Sequence, residues 1–230
     1  MRFGRVRIYS LCMVFFTCCW CLDALAASKD STGVRASKDL GLYIGGAYSL
    51  VQMEASSYFV GSFVGTPELK NAPGIFGGFC YNFYAGKRSI IRPAIEAVFI
   101  PTTIAYQTEI NYKREQRVFP GTFEFPISWI YSGYRTKAFP RPKAKPEFGL
   151  SLRPVLTVKA LNDAQPVMRT SNLNTDVFVG FPFANDKSVM RLEVVYSHGW
   201  FNLIGEDSSY QTYSIQKLLR STAGIRCIFH

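Results

Sequence analysis

The stretch Arg191–Trp200, "RLEVVYSHGW", decides the fold because its residues alternate in character along the chain. With the period of two that a β-strand imposes, Leu192 and Val194 share one face while Arg191 and Glu193 share the other. A soluble sheet would turn the charged face to water and the apolar face to a core. A membrane-spanning barrel would place them the other way round. The other strands must therefore distinguish between these two arrangements.

The same alternation recurs along most of the chain, and no amphipathic helical period of useful length interrupts it. We predict eight strands at 40–51, 74–85, 89–100, 118–134, 147–158, 173–183, 191–200 and 219–230. The stretch 103–112 alternates with a shifted phase, and we interpret it as a tall, bulged continuation of the third strand; an independent strand is the alternative. Pro93 and Pro101 indicate that the third strand is irregular.

The polar faces of these strands carry equal numbers of positive and negative side chains, four arginines and four carboxylates. These residues are Arg92, Glu96, Glu124, Arg153, Asp176, Arg191, Glu193 and Arg226. An enclosed lumen requires such a balance, because an unpaired buried charge costs several kcal/mol or neutralises itself. We therefore predict a lumen charge network, in which Arg191 and Glu193 lie with Arg92 and Glu96.

The apolar faces form a band of Leu, Ile, Val and Phe that also contains Trp129, Tyr131, Tyr196 and Trp200. Exposed to water, this band would far exceed the apolar patches that soluble monomers tolerate. A soluble lipocalin-like barrel with the band turned inward is the alternative, but it accounts poorly for aromatic residues at strand ends. We predict an all-β fold, an eight-stranded antiparallel transmembrane up-and-down β-barrel with a plugged polar lumen, because an even, closed sheet leaves no edge in lipid.

The N-terminus has the features of a secretory signal peptide: three early arginines, an apolar run from Ile8 to Leu22, and small residues before a cleavage site after Ala26. We therefore predict a signal at 1–26, a short periplasmic segment at 27–39 and a barrel domain at 40–230, located in the outer membrane. Cleavage removes three arginines and Asp23, so the formal charge falls from +10 to +8.

The connections predicted at one end of the barrel are short, apart from residues 135–146, "RTKAFPRPKAKP". If the N-terminus is periplasmic, this turn is periplasmic too, whereas the connections at 52–73, 101–117, 159–172 and 202–216 face outward. The turn contains no acidic residue, and its cations are Arg135, Lys137, Arg141, Lys143 and Lys145. It is either a solvated turn beside lipid phosphates or a docking site for an acidic partner.

The sequence contains few residues in patterns that would support catalysis or metal binding. His198 and His230 are the two histidines, and Ser197 and His198 point to opposite faces of their strand. Cys80 falls in the lumen phase and Cys227 in the lipid phase, which argues against a disulfide. We expect no enzyme activity, no cofactor and no metal site. Export argues against nucleic acid as a partner of this basic chain.

Four segments carry a resemblance to a known family: "FEFPISW", "LRPVLTV", "RLEVVYSHGWFNL" and "IQKLLRSTAGIRCIF". In order and spacing, residues 40–230 resemble the PorT-like outer-membrane β-barrel family. The segments include a Ser-x-Gly-x-x-Asn turn (Ser197, Gly199 and Asn202) followed by a Lys-Leu-x-Arg segment (Lys217, Leu218 and Arg220).

The resemblance implies a non-enzymatic accessory role in protein export through the type IX secretion system, with secretion proteins as partners. The barrel itself implies contact with outer-membrane lipid and lipopolysaccharide, and with the barrel-assembly machinery, which generally reads a terminal aromatic residue such as Phe229. His230 follows that aromatic here. The alternative function is that of a structural or adhesive surface barrel with no role in secretion.

Overall fold

The computed structural model describes ten stretches of the chain: 38–55, 58–60, 63–85, 88–108, 113–117, 121–132, 146–157, 171–184, 189–203 and 215–230. The predicted signal peptide and most of the predicted N-terminal segment lie outside these residues. Within the described stretches, no helix is long and apolar enough to cross a membrane.

All regular elements in the described stretches are strands. They are β1 (Lys38–Ala55), β2 (Tyr58–Val60), β3 (Phe63–Asn71), β4 (Pro73–Ala85), β5 (Ser89–Phe99), β6 (Thr102–Thr108), β7 (Lys113–Arg117), β8 (Thr122–Glu124), β9 (Ile127–Ser132), β10 (Glu147–Thr157), β11 (Ser171–Ala184), β12 (Val189–Gly199) and β13 (Ile215–Phe229).

Nine of these strands form one antiparallel sheet that closes on itself. From β1 the order runs through β4, β5, the pair β8 and β9, β10, β11, β12 and β13, and β13 pairs with β1 again. The strands β8 and β9 lie end to end and act as a single wall strand, because both pair with β5 on one side and β10 on the other. The fold is therefore a closed eight-stranded up-and-down barrel, which confirms the predicted fold class.

Pro126 explains why the fourth wall strand is interrupted between β8 and β9. Proline has no N–H to donate to a neighbouring strand. The wall remains closed here because the Ala94 N–H donates to the Pro126 carbonyl at 2.8 Å and the Phe125 N–H donates to the Pro154 carbonyl at 2.9 Å. The third strand is irregular, as predicted: β5 continues through Pro93, but its ladder with β4 has no pairs at Arg92 and Pro93, and β5 ends at Phe99, just before Pro101.

We call the end of the barrel where β1 begins and β13 finishes the inner end, and the opposite end the outer end. At the inner end, short connections join β4 to β5 and β11 to β12, and a longer one joins β9 to β10. The connections at the outer end are longer on the whole. This asymmetry matches the prediction, and it is usual for barrels whose inner end faces the periplasm.

Two wall strands continue past the outer end of the barrel. β3 extends β4 and β6 extends β5, and β2 and β7 flank them in a second sheet of four strands. The step between the two sheets is a bulge, since residues 72–74 lie opposite only Ile100 and Pro101. A Cβ on Gly74 would lie 2.3 Å from the Phe99 carbonyl oxygen, so the bulge requires glycine.

This second sheet confirms the predicted bulged continuation of the third strand and corrects one prediction. The segment 52–73 is not an irregular loop, because the end of β1 and the strands β2 and β3 occupy much of it. Paired strands form there because the β4–β5 hairpin carries its ladder outward, from Ala85 opposite Ser89 as far as Gly65 opposite Thr108. About 9–11 residues suffice for a tilted strand to cross the hydrocarbon. The hairpin therefore projects well beyond a bilayer.

Candidate functional site

The eight charged residues predicted for the lumen all point into the barrel and are all buried. Their relative exposures lie between 0% and 6%. Two further buried charges, Glu147 and Arg220, complete the set and were missed in the sequence prediction. With them, the described part of the lumen contains five arginines and five carboxylates, so its charges still balance.

Glu193 is the acidic centre of the inner half of this network. Arg92 donates two hydrogen bonds to it, from Nη1 to Oε1 at 2.7 Å and from Nη2 to Oε2 at 2.9 Å. Arg226 donates from Nε to Oε2 at 2.8 Å. One carboxylate therefore joins β5, β12 and β13 across the lumen, in the two-pronged geometry that makes arginine–carboxylate pairs strong.

Arg153 is the basic centre of the outer half. Its guanidinium donates to Asp176 at 2.8 Å, to Glu96 at 2.9 Å and to Glu124 at 2.8 Å. Tyr43 adds a hydroxyl donor to Glu96 at 3.2 Å. These contacts connect β10 to β11, β5 and β8, so the network stabilises the barrel wall from inside the lumen.

The predicted grouping of Arg191 and Glu193 with Arg92 and Glu96 is only partly right. Glu193 does bind Arg92, but Arg191 Nε lies 2.8 Å from Glu147 Oε2 instead, and Glu96 binds Arg153. Residues on opposite walls meet only after the barrel has closed with a particular stagger between strands. Strand alternation contains no information on that stagger.

Aromatic and apolar side chains fill the lumen between and above the ion pairs. The guanidinium carbons of Arg92 and Arg226 lie 5.2 and 5.4 Å from the centre of the Phe178 ring, within the range of a cation–π interaction. That ring occupies the space in front of Gly149, where an added Cβ would lie 2.0 Å from it. At the outer end, the inward face becomes apolar with the buried Val51, Ile100 and Leu218. The lumen is thus packed and plugged, as predicted.

The outer wall carries the predicted apolar and aromatic band. Exposed side chains include Leu42, Ile44, Phe79, Trp129, Tyr131, Phe148, Leu150, Val194, Tyr196, Trp200 and Ile225. A barrel with exposed Leu, Ile and aromatic residues and a buried charge network has the polarity of a membrane barrel.

His198 lies on this outer wall near the outer end. Its Nδ1 is 3.1 Å from Ser221 Oγ. Its ring packs edge to face against the Trp200 ring, with 5.0 Å between the ring centroids. Trp200 Nε1 donates to Thr175 Oγ1 at 2.7 Å. Ser197 is 3% exposed and faces the lumen, so Ser197 and His198 point to opposite faces as predicted. This arrangement suits a residue of the interfacial aromatic belt.

The Ser-x-Gly-x-x-Asn turn has a clear local role. Asn202 Oδ1 accepts the Leu218 N–H at 2.9 Å, and the Leu203 N–H donates to the Leu218 carbonyl at 2.9 Å. The chain leaving β12 is thereby fastened to the start of β13. Ser197 contributes differently, because it belongs to the lumen face rather than to this turn.

The remaining sequence predictions concern the inner end, cysteines and metals. Residues 135–145 of the basic turn lie outside the described residues, so the predicted partner-binding cations Arg135, Lys137, Arg141, Lys143 and Lys145 do too. Cys80 is buried and Cys227 is half-buried, and neither forms a disulfide. In the described stretches, no three His, Cys, Asp or Glu side chains form a group that could hold a metal ion.

Comparisons with known proteins identify no family for this chain. Models of known protein families gave no match, and neither did curated protein sequences. Among solved structures, the chain is similar to the crystal structure of Neisserial surface protein A (NspA), at 11% sequence identity and a TM-score of 0.42. The similarity covers 84% of this chain and 97% of that one.

Proposed function

We propose that this chain is an integral outer-membrane protein that acts through bound partners rather than through catalysis or transport. The observation that carries the proposal is the inverted polarity of the closed barrel: apolar side chains outside, and ion pairs filling the lumen. Such a body has no evident path for solutes, and its free surfaces are the two ends. The residues on those ends must then carry its function.

The distribution of charge between the two ends favours the inner end as the binding surface. The connections at the outer end, residues 52–72, 100–121, 158–170 and 200–217, hold seven cations and seven acidic residues. Residues 27–39 and the inner connections 86–88, 133–146 and 185–188 hold eleven cations and three acidic residues. Since the charges of the described lumen residues cancel, the +8 of residues 27–230 comes from these segments, which precede β1 or join strands at the inner end.

Arg88 relates the basic turn to the described structure. Its carbonyl accepts the Ser132 N–H at 2.8 Å, and its Nη1 donates to Tyr131 Oη at 3.4 Å. Because β9 finishes at Ser132 and β10 begins at Glu147, the intervening segment connects them at this same end. A surface of one sign attracts a partner of the other sign and speeds their association. An acidic periplasmic protein is the partner we favour.

The resemblance to PorT-like barrels leads us to propose that this partner belongs to a protein-secretion apparatus of type IX. Deleting the gene is expected to abolish export of cargo that carries a C-terminal secretion signal. Export that continues normally in the deletion strain would eliminate the secretion role while leaving the barrel and its partner surface untouched.

The basic turn can be tested by affinity isolation from detergent-solubilised outer membrane. Replacing its five cations with glutamine should release the partner, because each cation contributes to one electrostatic surface. The control replaces three cations of the outer end, Lys113, Arg114 and Arg117 of β7, with glutamine and should retain the partner. Equal recovery of the partner with both variants would contradict the proposal, and release of lipid alone would favour lipid phosphates as the ligand.

The second sheet favours a different candidate function, that of a surface adhesin or structural barrel. Its strands β2, β3, β6 and β7 lie beyond the rim, where they could meet another cell or a soluble molecule. Proteolysis of intact cells should then cut within 57–71 while secretion stays normal. Protection of this segment in intact cells would exclude this alternative.

A further inference from the structure

The outer half of the lumen contains a small polar cavity that the ion pairs do not fill. Its volume is about 20 Å³, and we call it the outer chamber. Its polar lining consists of Glu96, Glu124, Arg153, Asn174, Ser197, Arg220 and Thr222. A space of this size accommodates about one water-sized particle.

Three oxygen atoms in the lining of the chamber are buried without a hydrogen-bonding partner in the protein: Glu96 Oε1, Asn174 Oδ1 and Ser197 Oγ. Their residues are 0%, 8% and 3% exposed. Leaving a buried polar atom unsatisfied costs about 1–3 kcal/mol, and more if it is charged. Three such atoms on residues that line one cavity indicate that it holds a ligand or a water molecule that satisfies them.

The charges around the chamber indicate the sign of that ligand. Among the described lumen residues, the outer half contains Glu96, Glu124 and Asp176 against Arg153 and Arg220, an excess of one negative charge. Arg92, Arg191 and Arg226 face Glu147 and Glu193 in the inner half, an excess of one positive charge. The network is neutral as a whole but polarised along its axis.

We propose that the outer chamber binds one small monovalent cation, for which Na⁺ is the probe. Carboxylate, amide and hydroxyl oxygens are the ligands that hard cations prefer. A single positive charge matches the local excess of one negative charge, whereas a divalent ion would exceed it. A water molecule fits the volume equally well but leaves the charge unbalanced.

The first test is the thermal unfolding of the purified barrel in detergent micelles, in mixtures of sodium chloride and choline chloride at constant ionic strength. A ligand that binds only the folded state raises the midpoint of unfolding with its concentration. We expect the midpoint to rise with sodium and to level off. A midpoint that does not depend on the sodium fraction would overturn the proposal and would be the result expected of a bound water.

Variants of the lining locate the sodium response. Ser197→Ala and Asn174→Leu each remove one proposed ligand, and each should raise the sodium concentration for half of the effect about tenfold or more. Ser151→Ala is the matched control, because its lumen hydroxyl bonds to Ser128 Oγ at 2.7 Å and does not line the chamber. The control should titrate like wild type. If all three variants respond to sodium like wild type, Ser197 and Asn174 are not ligands of the ion.

A measurement on the wild-type protein removes any dependence on whether the variants fold. Sodium-23 relaxation in the presence of the folded barrel should show saturable broadening that disappears when the barrel is heat-denatured. Broadening that is equal for folded and denatured protein would overturn the proposal. None of these experiments involves the partner surface, so failure here leaves the proposed function standing.

Discussion

Among single residues, Glu193 is the carboxylate whose loss should cost the barrel most. It is fully buried and accepts hydrogen bonds from both Arg92 and Arg226. Without it, two buried guanidinium groups of the inner half lack their acidic partner. Breaking a buried pair from one side is strongly destabilising, because the remaining charge stays buried without compensation.

We therefore expect Glu193→Gln to lower the free energy of unfolding by about 3–5 kcal/mol, measured by urea titration of the barrel in lipid vesicles. Glu54→Gln is the control: Glu54 binds Lys217 at 3.1 Å, and the two side chains are 65% and 43% exposed. Exposed pairs of this kind contribute about 0–1 kcal/mol. If the two variants lose similar stability, the lumen network does not hold the barrel together.

Gly149 offers a second test, of packing rather than of charge. Gly149→Ala would force its methyl group into the Phe178 ring, so we expect a loss of about 1–3 kcal/mol in the same titration. Gly46→Ala is matched in chemistry, but its added Cβ would meet no atom closer than 3.7 Å. The Gly46 variant should be neutral or slightly more stable. A Gly149 variant as stable as the Gly46 variant would mean that the lumen is looser than described.

The sequence predicted which face of the wall carries each charged side chain, but it did not predict the ion-pair partners across the lumen. The alternation correctly predicted that Arg92, Arg153 and Glu193 point inward, because successive side chains of a strand point to opposite faces. Glu147 and Arg220 share that parity with their neighbours and could have been found by the same rule. The pairing of Arg191 with Glu147 could not, because it depends on the stagger of the closed barrel.

At the scale of elements, β12 shows what the alternation in "RLEVVYSHGW" means. Val194 is 54% exposed on the outer wall, while its neighbours Glu193 and Val195 are buried in the lumen. The same strand therefore carries hydrocarbon contacts on one face and the acidic centre of the network on the other. The charged face of the opening stretch points inward, contrary to the expectation for a soluble sheet.

The outer face of β12 can be tested by substitution with arginine at two depths. Val194→Arg should lower the free energy of unfolding in lipid vesicles by about 2–4 kcal/mol, because it places a charge within the hydrocarbon. Phe201→Arg, just beyond the outer end of β12, should cost only about 0–1 kcal/mol. If Val194→Arg costs no more than Phe201→Arg, this wall does not face lipid.

The strands of the second sheet show which strands the sequence pattern alone could not predict. The β3 segment, "FVGTPELKN", contains a glycine and a proline, which disfavour strands in isolation. It pairs because it continues β4 and lies beside β6 in a ladder that the wall has already begun. Short strands of this kind depend on tertiary context rather than on local propensity.

For the whole molecule, the packed lumen predicts an absence of ion conduction. Ion pairs on Glu193 and Arg153, together with the Phe178 ring, fill the middle of the barrel, and apolar residues line its outer end. We expect no stable conductance steps when the barrel is reconstituted in a planar bilayer. The double variant Arg92→Ala with Glu193→Ala removes an ion pair from this plug. If this variant conducts, it is the positive control for the measurement. Steady conduction by the wild type would contradict a plugged lumen.

The central claim is that the closed barrel spans a membrane with its apolar wall facing lipid. Gel mobility of the protein after mixing with lipid vesicles, compared with and without boiling, tests this most directly. We predict that the protein stays with the vesicles and that the unboiled sample migrates as a compact species whose mobility changes on boiling. A protein that remains in the aqueous fraction, with a mobility that boiling does not alter, would contradict the account.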